Sequence, residues 1–216
     1  FVYSIFITPL FLGIIAGSSI SRQIDLHATS FSDAYIFSWL NYFSVAVGLF
    51  TVALSGYLAA IYLIGEADND HDVRRFILKA KAMNILAVVF GGLVFIASEI
   101  EHIHLAHWIF GNPVSLTAVI AASISLAASW MLINKGKRKI IRIGAGFQVT
   151  MILLAVGYMH YPYLVMIKGG RNLSLFAYHA PAKTIEVLAL GLMIGSLLIL
   201  PSLFYLYYSF QKKDRD

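Results

Sequence analysis

Long apolar runs separated by short polar segments set the pattern of the chain. A helix that crosses a bilayer needs about 20 mostly apolar residues. Six runs approach or exceed that length, at residues 1–20, 35–65, 82–98, 114–133, 143–161 and 184–208. Because lipid offers the backbone no hydrogen-bond partners, helices are the structure that such runs adopt. We therefore predict an all-α integral membrane protein, a polytopic bundle of six transmembrane helices in a single domain over residues 1–216.

Two of the predicted spans have features that bear on their ends. The run at 35–65 is longer than one crossing requires, so it needs tilt or an overhang past the membrane. Pro162 ends the run at 143–161, because a proline biases the residue before it away from the helical region. The polar segments between the spans are short, so no appended soluble domain is expected.

Composition supports this interpretation and excludes a soluble fold. The chain has 59% hydrophobic and 12% charged residues and a mean hydropathy of +0.78, whereas soluble domains carry about one quarter charged residues. It contains no cysteine, which excludes disulfides, thiolate haem ligation and zinc–thiolate sites. It starts at Phe1 without a methionine or a basic segment, so a signal peptide is disfavoured, and we expect a start inside a longer protein.

Lysines and arginines alternate between the two ends of the predicted spans. Twelve fall on one side, namely Arg74, Arg75, Lys79, Lys81, Lys135, Lys137, Arg138, Lys139, Arg142, Lys212, Lys213 and Arg215. Four fall on the other side, namely Arg22, Lys168, Arg171 and Lys183. Because positive residues concentrate in cytoplasmic loops, we predict a cytoplasmic C-terminus. This topology also accounts for the net charge of +5, so nucleic acid is not an expected partner.

The stretch SEIEHIHLAHW, Ser98–Trp108, concentrates polar groups at the outer end of the third span. Glu101 and His104 form a Glu-x-x-His pair, which would share one helix face. Di-iron bundles use two such pairs and two further glutamates, and the second pair is absent here. His104 and His107 are one turn apart and could hold a stray metal, but we favour a solvated helix end that leads into the turn at 111–113.

Other ionisable residues also lie near the outer ends of spans. Glu99, His160 and Glu186 join Glu101 and His104 as polar candidates. For these three we consider a proton or quinone role, because ionisable groups in or near a span are functional candidates by default. All of them lie at an edge that water reaches, which weakens that expectation. A haem would require an axial histidine deep in a span. The residues alone therefore predict no catalytic, cofactor-binding or metal site.

Two further motifs are interpreted as structural. The segment Glu66–Asp72, EADNDHD, has the alternating carboxylates of a calcium loop, but Val73 replaces the required glycine and Lys79 the bidentate glutamate. We predict a solvated cytoplasmic loop there. Gln148 is the deepest polar side chain apart from hydroxyls and Asn84, and we expect it to bond a neighbouring helix. Close helix packing is expected at the glycine pairs Gly91–Gly92, Gly144/Gly146 and Gly191/Gly195.

Three segments resemble a known family. GLFTVALSGYLAAIYLIGEA, Gly48–Ala67, is a long span that runs into a charged loop with Arg74 and Arg75. The segment Tyr161–Phe210 has Tyr-Pro at the end of a span, the loop NLSLFAYHAP, and a Leu-rich span with a late proline. HWIFGNP, His107–Pro113, is an aromatic turn between spans. Together they are similar to subunit II of the cytochrome bd-type quinol oxidases, over about residues 39–210 of this chain.

The resemblance implies a role in aerobic respiration. It implies a haem-free subunit II, a non-catalytic subunit of a quinol:oxygen oxidoreductase. Its partner would be subunit I, which carries haem b and haem d, oxidises quinol and reduces dioxygen to water. The pair would form a heterodimer in the bacterial inner membrane, with membrane lipid, quinone and a small accessory subunit as further partners. The chain would be the C-terminal two-thirds of the subunit, and no catalytic residue is carried over to it.

Two alternative functions remain open at this point. A small polytopic transporter would favour a broken helix or a charge at the midplane, and neither is evident in the sequence. A b-type membrane cytochrome would ligate haem through His160 and another histidine.

Overall fold

The computed structural model describes residues 2–67, 69–134, 138–169, 172–176 and 180–213. Its elements in chain order are α1 (Val2–Ile20), α2 (Phe31–Tyr35), α3 (Tyr42–Glu66), α4 (Asp70–Ile100), α5 (Leu105–Gly111), α6 (Pro113–Asn134), α7 (Arg138–His160), β1 (Tyr163–Val165), β2 (Leu173–Ser174) and α8 (Ala182–Lys213). Six of these helices, α1, α3, α4, α6, α7 and α8, are long and apolar enough to cross a membrane. The predicted all-α polytopic fold is confirmed.

Residues 1–174 and 175–216 form two separate packing units. In the first unit α3 lies at the centre, in contact with α1, α4 and α7, and α6 pairs with α7. The second unit contains α8. The prediction of a single domain stays a prediction.

Two apolar clusters build the core of the first unit, one towards each end of α3. Tyr57, Ile61 and Ile64 of α3 pack with Ala80 of α4 and Ile141 of α7. Phe43 and Ala46, near the start of α3, belong to the other cluster, which also contains Ala97, Ile103 and Leu105. Inside a bilayer the hydrophobic effect does not drive helices together, because lipid tails are as apolar as the side chains. The close fit of these side chains and the polar contacts between helices therefore hold the bundle together.

Glycines bring α1 and α3 into close contact. A Cβ atom added at Gly13 would lie 2.7 Å from the Cα atom of Gly48, and one added at Gly17 would lie 2.8 Å from the Cα atom of Ser44. Gly13 and Gly17 have the small-xxx-small spacing, and so do Ser44 and Gly48. This packing motif was missed in the sequence. The predicted role of Gly191 and Gly195 in α8 stays a prediction.

Hydrogen bonds from small polar side chains link the helices inside the bundle. Ser115 of α6 donates to the carbonyl of Ala155 in α7 at 2.9 Å, and Ser125 donates to the carbonyl of Gly144 at 3.0 Å. The indole of Trp130 donates to Asn84 Oδ1 at 3.0 Å. Gln148 is only 4% exposed, but its Oε1 accepts no hydrogen bond from a described residue. The hydrogen bond predicted between Gln148 and a neighbouring helix is therefore not seen at this oxygen atom.

The boundaries of the second and third spans differ from the prediction. Tyr35 ends the short helix α2, and a turn separates it from α3, whose first residue is Tyr42. Asn41 caps α3 by accepting from the backbone N–H of Ser44 at 2.8 Å, and such a cap fixes the start of a helix. The third span was predicted at 82–98, but α4 covers Asp70–Ile100.

The segment Glu66–Asp72 is correspondingly less of a loop than predicted. Glu66 ends α3, while Asp70 and Asp72 lie in the first turn of α4. Asn69 Oδ1 accepts from the backbone N–H of His71 at 3.0 Å and caps that helix. Carboxylates near a helix N-terminus are favourable because they face the positive end of its dipole. Asp68 lies outside the described residues.

The connection after α7 contains a small β-hairpin. α7 ends at His160, as the position of Pro162 predicts. β1 and β2 then pair antiparallel, with Val165 opposite Leu173. The backbone N–H of Met166 donates to the carbonyl of Ser19 at 2.8 Å, which ties the hairpin to the end of α1. We call this end of the first unit, with α5, the hairpin end, and the opposite one the α3–α4 end.

Candidate functional site

The polar stretch Ser98–Trp108 is a bend between two helices at the hairpin end. α4 ends at Ile100 and α5 begins at Leu105. His102 and His104 have φ angles of 56° and 53°, in the left-handed region that histidine adopts more readily than most residues. The bend means that Glu101 and His104 do not share one helix face, so the predicted Glu-x-x-His geometry is wrong.

Glu101 caps the N-terminus of α3 from outside that helix. Its Oε1 accepts from the backbone N–H of Tyr42 at 2.7 Å, while Asn41 caps the same helix end through Ser44. Burial raises the pKa of the Glu101 carboxyl, and the backbone N–H groups of Phe43 and Tyr42 oppose that rise. The negative charge also faces the positive end of the α3 dipole. Glu101 therefore holds α3 against the bend after α4.

Two replacements of Glu101 distinguish the contribution of its hydrogen bond from that of its charge. Glu101→Ala leaves the Tyr42 N–H without its acceptor and is expected to cost about 1 kcal/mol of unfolding free energy. Glu101→Gln keeps a carbonyl oxygen for that bond and is expected to retain nearly full stability. Thermal unfolding of the purified protein in detergent measures both. Equal losses in the two variants would contradict the capping role.

The raised pKa gives the Glu101 cap a pH dependence. The folded state holds the proton of this carboxyl to a higher pH than the unfolded chain does. The resulting stabilisation is complete below the ordinary glutamate value of 4.5 and is lost as the pH rises through the folded pKa. The unfolding temperature should therefore fall less across this window in Glu101→Gln than in the parent protein. Identical pH profiles would refute this assignment.

Glu99 and His104 form a second contact in the same stretch. His104 Nδ1 lies 3.5 Å from Glu99 Oε2, and both side chains are more than half exposed. An ion pair in so much solvent contributes little to stability, and it requires a protonated histidine. Across the ranges that the structure describes, no three His, Asp or Glu side chains are grouped in a way that could hold a metal ion.

His160 and Glu186 lie in different units. His160, in the last turn of α7, donates through Nε2 to the carbonyl of Leu164 at 2.9 Å and thereby joins the helix end to β1. Its Nδ1 is shielded and has no partner among the described residues. Glu186 lies in the second turn of α8 and is exposed. The roles proposed for these candidates from the sequence stay predictions.

Arg22 joins three parts of the hairpin end. Its guanidinium carbon lies 5.0 Å from the centre of the Trp108 ring of α5, and its Nε donates to the Met166 sulfur at 3.5 Å. A cation over an aromatic face is attracted by the ring quadrupole. The sequence indicates only that Arg22 is an outer-side charge, because nothing local signals its contact with Met166, 144 positions away.

Arg142 occupies the corresponding position at the α3–α4 end. Its Nη2 donates to the Tyr62 carbonyl at 2.8 Å and to Glu66 Oε1 at 2.5 Å, and its guanidinium lies over the Tyr62 ring. The cation thus faces the C-terminal end of α3, where the helix dipole is negative. Gly65 leaves room for this contact, because an added Cβ atom would collide with the guanidinium and displace it. Opposite charges from other elements hold both ends of α3.

Two substitutions are expected to destabilise the protein equally, because each removes the Arg142 contact. Arg142→Gln removes the charge, and Gly65→Ala displaces the guanidinium, so each is expected to cost about 1–2 kcal/mol. The double variant should be little worse than either single one, because both changes remove one interaction. Thermal unfolding of the four proteins measures this coupling. Additive losses would show that Gly65 and Arg142 act independently.

Comparison with protein families identifies the chain. The family model described as cytochrome bd terminal oxidase subunit II matches residues 1–210. The chain belongs to the cytochrome bd terminal oxidase subunit II family. None of the curated proteins compared with it matches. This finding confirms the resemblance inferred from the three segments, and it makes the chain a component of a terminal oxidase, an oxidoreductase complex of respiration.

In a subunit II, the described polar groups act chiefly on the fold. Glu101 and Arg142 cap α3, and Arg22 and His160 fasten the hairpin end. Each of these four side chains joins two or more elements, so together they fix the ends of the first unit.

Proposed function

We propose that this chain is the haem-free subunit II of a cytochrome bd-type oxidase. It would be the partner of the haem-bearing subunit I, a heterodimer that couples quinol oxidation to the reduction of dioxygen to water. The family match over residues 1–210 carries this proposal. The subunit is then a non-catalytic part of the enzyme, and its residues bind and orient the partner rather than touch the reacting atoms.

The histidines in the described ranges do not fit a haem. A membrane-embedded b-type haem needs axial ligands inside the bundle. His71, His102, His104, His107 and His27 are exposed, and half-buried His160 already donates Nε2 to the Leu164 carbonyl. No histidine in the described ranges is therefore placed to ligate iron within a span. This supports the assignment of haem b and haem d to subunit I.

The proposed location is the bacterial inner membrane, with the C-terminus in the cytoplasm. The α3–α4 end carries Arg74, Arg75 and Lys79, and Arg142 lies at the same end, whereas Arg22 and Lys168 lie at the hairpin end. An excess of basic residues marks the cytoplasmic side of a multi-pass protein. The hairpin end would then face outwards.

Purification of the oxidase through this chain tests the proposal. The full-length protein is tagged and extracted from its native membrane in a mild detergent, and the eluate is assayed for quinol-dependent oxygen consumption. We expect a haem-bearing subunit to co-purify and the eluate to consume oxygen when quinol is added. Co-purification of no haem protein, together with uptake of a solute by liposomes that contain the chain alone, would overturn the proposal in favour of a transporter.

A further inference from the structure

The first turns of α4 project beyond the membrane core. α4 has 31 residues, which at 1.5 Å per residue is a helix about 46 Å long. The hydrocarbon core of a bilayer is only about 30 Å thick. Counted back from Ile100, residues 81–100 are enough to cross this core. Residues 70–80 therefore lie at the level of the lipid headgroups or beyond them.

This projecting part of α4 is held by packing on one side. Val73, Phe76, Ile77 and Ala80 pack into the core cluster with Ile141 of α7. Their spacing of three and four residues places them along a single helix face. The segment is therefore a fixed part of the first unit, and the opposite face is presented outwards in a defined orientation.

The outward face combines basic and apolar side chains. Arg74, Arg75, Leu78 and Lys79 are all exposed, and we call them the basic face. Leu78 is 68% exposed, which is unfavourable in water but suits the boundary between headgroups and acyl chains. Ile85 is seven residues further along, on the same side of the helix, and it is exposed as well. An apolar track thus runs from the basic face into the membrane core.

The basic face has one ion-pair partner among the described residues, Asp72 in the first turn of α4. Arg75 Nη1 lies 3.9 Å from Asp72 Oδ1, a long contact between two exposed groups. Lys79 Nζ lies 5.9 Å from the centre of the Phe76 ring. Arg74 forms no hydrogen bond or ion pair with any described residue. Guanidinium groups bind phosphate oxygens through paired hydrogen bonds. Two adjacent arginines and a lysine therefore form a positively charged site that suits a phosphate group.

We propose that the basic face of α4 binds the headgroup of an anionic phospholipid in the adjacent leaflet. The phosphodiester would contact Arg74, Arg75 and Lys79, and one acyl chain would lie along Leu78 and Ile85. The negative surface of a leaflet attracts basic residues near the membrane. Leu78 favours a lipid over a soluble phosphate, because a free anion gives that side chain no cover. The lipid would anchor the projecting turns of α4 at a fixed depth.

Binding of a fluorescent phosphatidylglycerol tests this site in the purified complex, reconstituted in phosphatidylcholine nanodiscs. We expect Arg74→Gln, Arg75→Gln and Lys79→Gln each to weaken binding about fivefold, as expected for one basic residue at an anionic surface. Asp72→Asn is expected to strengthen it, because it frees Arg75. Lys168→Gln, at the hairpin end, is the matched control and should leave binding unchanged. Helix content in nanodiscs without anionic lipid verifies that each variant is folded.

Three outcomes would overturn the proposal. The first is unchanged phosphatidylglycerol binding in the folded triple variant Arg74→Gln/Arg75→Gln/Lys79→Gln. The second is loss of a protein partner by that variant whatever the lipid composition, which would show that the basic face docks an acidic protein surface instead. The third is binding of inorganic phosphate in the absence of lipid that the same substitutions weaken to the same extent. This result would exclude the lipid site, because the basic face would then bind a free anion.

Discussion

Tyr57→Ala is expected to lower the unfolding free energy by about 3–5 kcal/mol, as for other large-to-small changes in a packed core. Tyr57 is 1% exposed and lies in the cluster with Ile61, Ile64 and Ile141, where α3 meets α4 and α7. Removal of its ring leaves a cavity that these rigid helices cannot close. The midpoint of thermal unfolding in detergent should fall sharply, and assembly of the oxidase should fall with it.

Two variants separate the ring of Tyr57 from other causes. Tyr158→Ala is the matched control, because Tyr158 is 52% exposed on α7 and its removal should change the midpoint little. Tyr57→Phe should stay within about 1 kcal/mol of the parent, because the phenolic oxygen has no hydrogen-bond partner of standard geometry in the described part of the chain. Similar losses for Tyr57→Ala and Tyr158→Ala would contradict the central position of α3.

Gly13→Ala is expected to separate α1 from α3 and to cost about 1–3 kcal/mol, as overpacking does. The added Cβ atom would lie 2.7 Å from the Cα atom of Gly48, and a backbone atom cannot move aside as a flexible side chain can. Gly48→Ala should have a similar effect, because its added Cβ atom would lie 2.9 Å from the carbonyl oxygen of Leu10. Thermal unfolding and the yield of folded protein measure both.

Gly146→Ala provides the control for these changes. An added Cβ atom at Gly146 meets no atom within 4 Å, and alanine is the better helix former. This variant should match or exceed the stability of the parent protein. If Gly13→Ala were equally well tolerated, the close packing of α1 on α3 would be incorrect.

The sequence predicted the existence of the helices better than their ends. Each long apolar run became a helix, because backbone groups in lipid must pair within the helix. Hydropathy could not locate the start of α4, since its first turns are polar on one side. The apolar spacing of Val73, Phe76, Ile77 and Ala80 was an available signal of helix there. Caps from Asn41 and Asn69 then fixed the first residues of α3 and α4.

The polar contacts were beyond the reach of local patterns. Glu101 was singled out as half of a metal-binding pair, yet it bonds Tyr42, which is 59 positions away. Arg142 was counted only as a cytoplasmic charge, and its partner Glu66 is 76 positions away. Such pairs follow from which helices become neighbours, and a single sequence does not reveal that. The glycine spacing in α1 was visible, but it acquires meaning only when α3 is known to lie opposite.

The family and the geometry together indicate how the proposed haem-free subunit would contribute to an oxidase. α3 is fixed at both ends by charges from other elements, and α1, α4 and α7 pack around it. A bundle held in this way presents unchanging outer faces. In the proposed heterodimer, those faces would position subunit I in the membrane while the haem chemistry takes place in the partner.

In the proposed assembly, this chain belongs to a haem-containing oxidase but binds no haem itself. The most direct test is a reduced-minus-oxidised spectrum of the purified complex and, after separation of the subunits, of this chain alone. We expect bands of haem b and haem d in the complex and a colourless separated chain. A haem band that remains with the separated, folded chain would contradict it, and His160 would then be the first residue to replace.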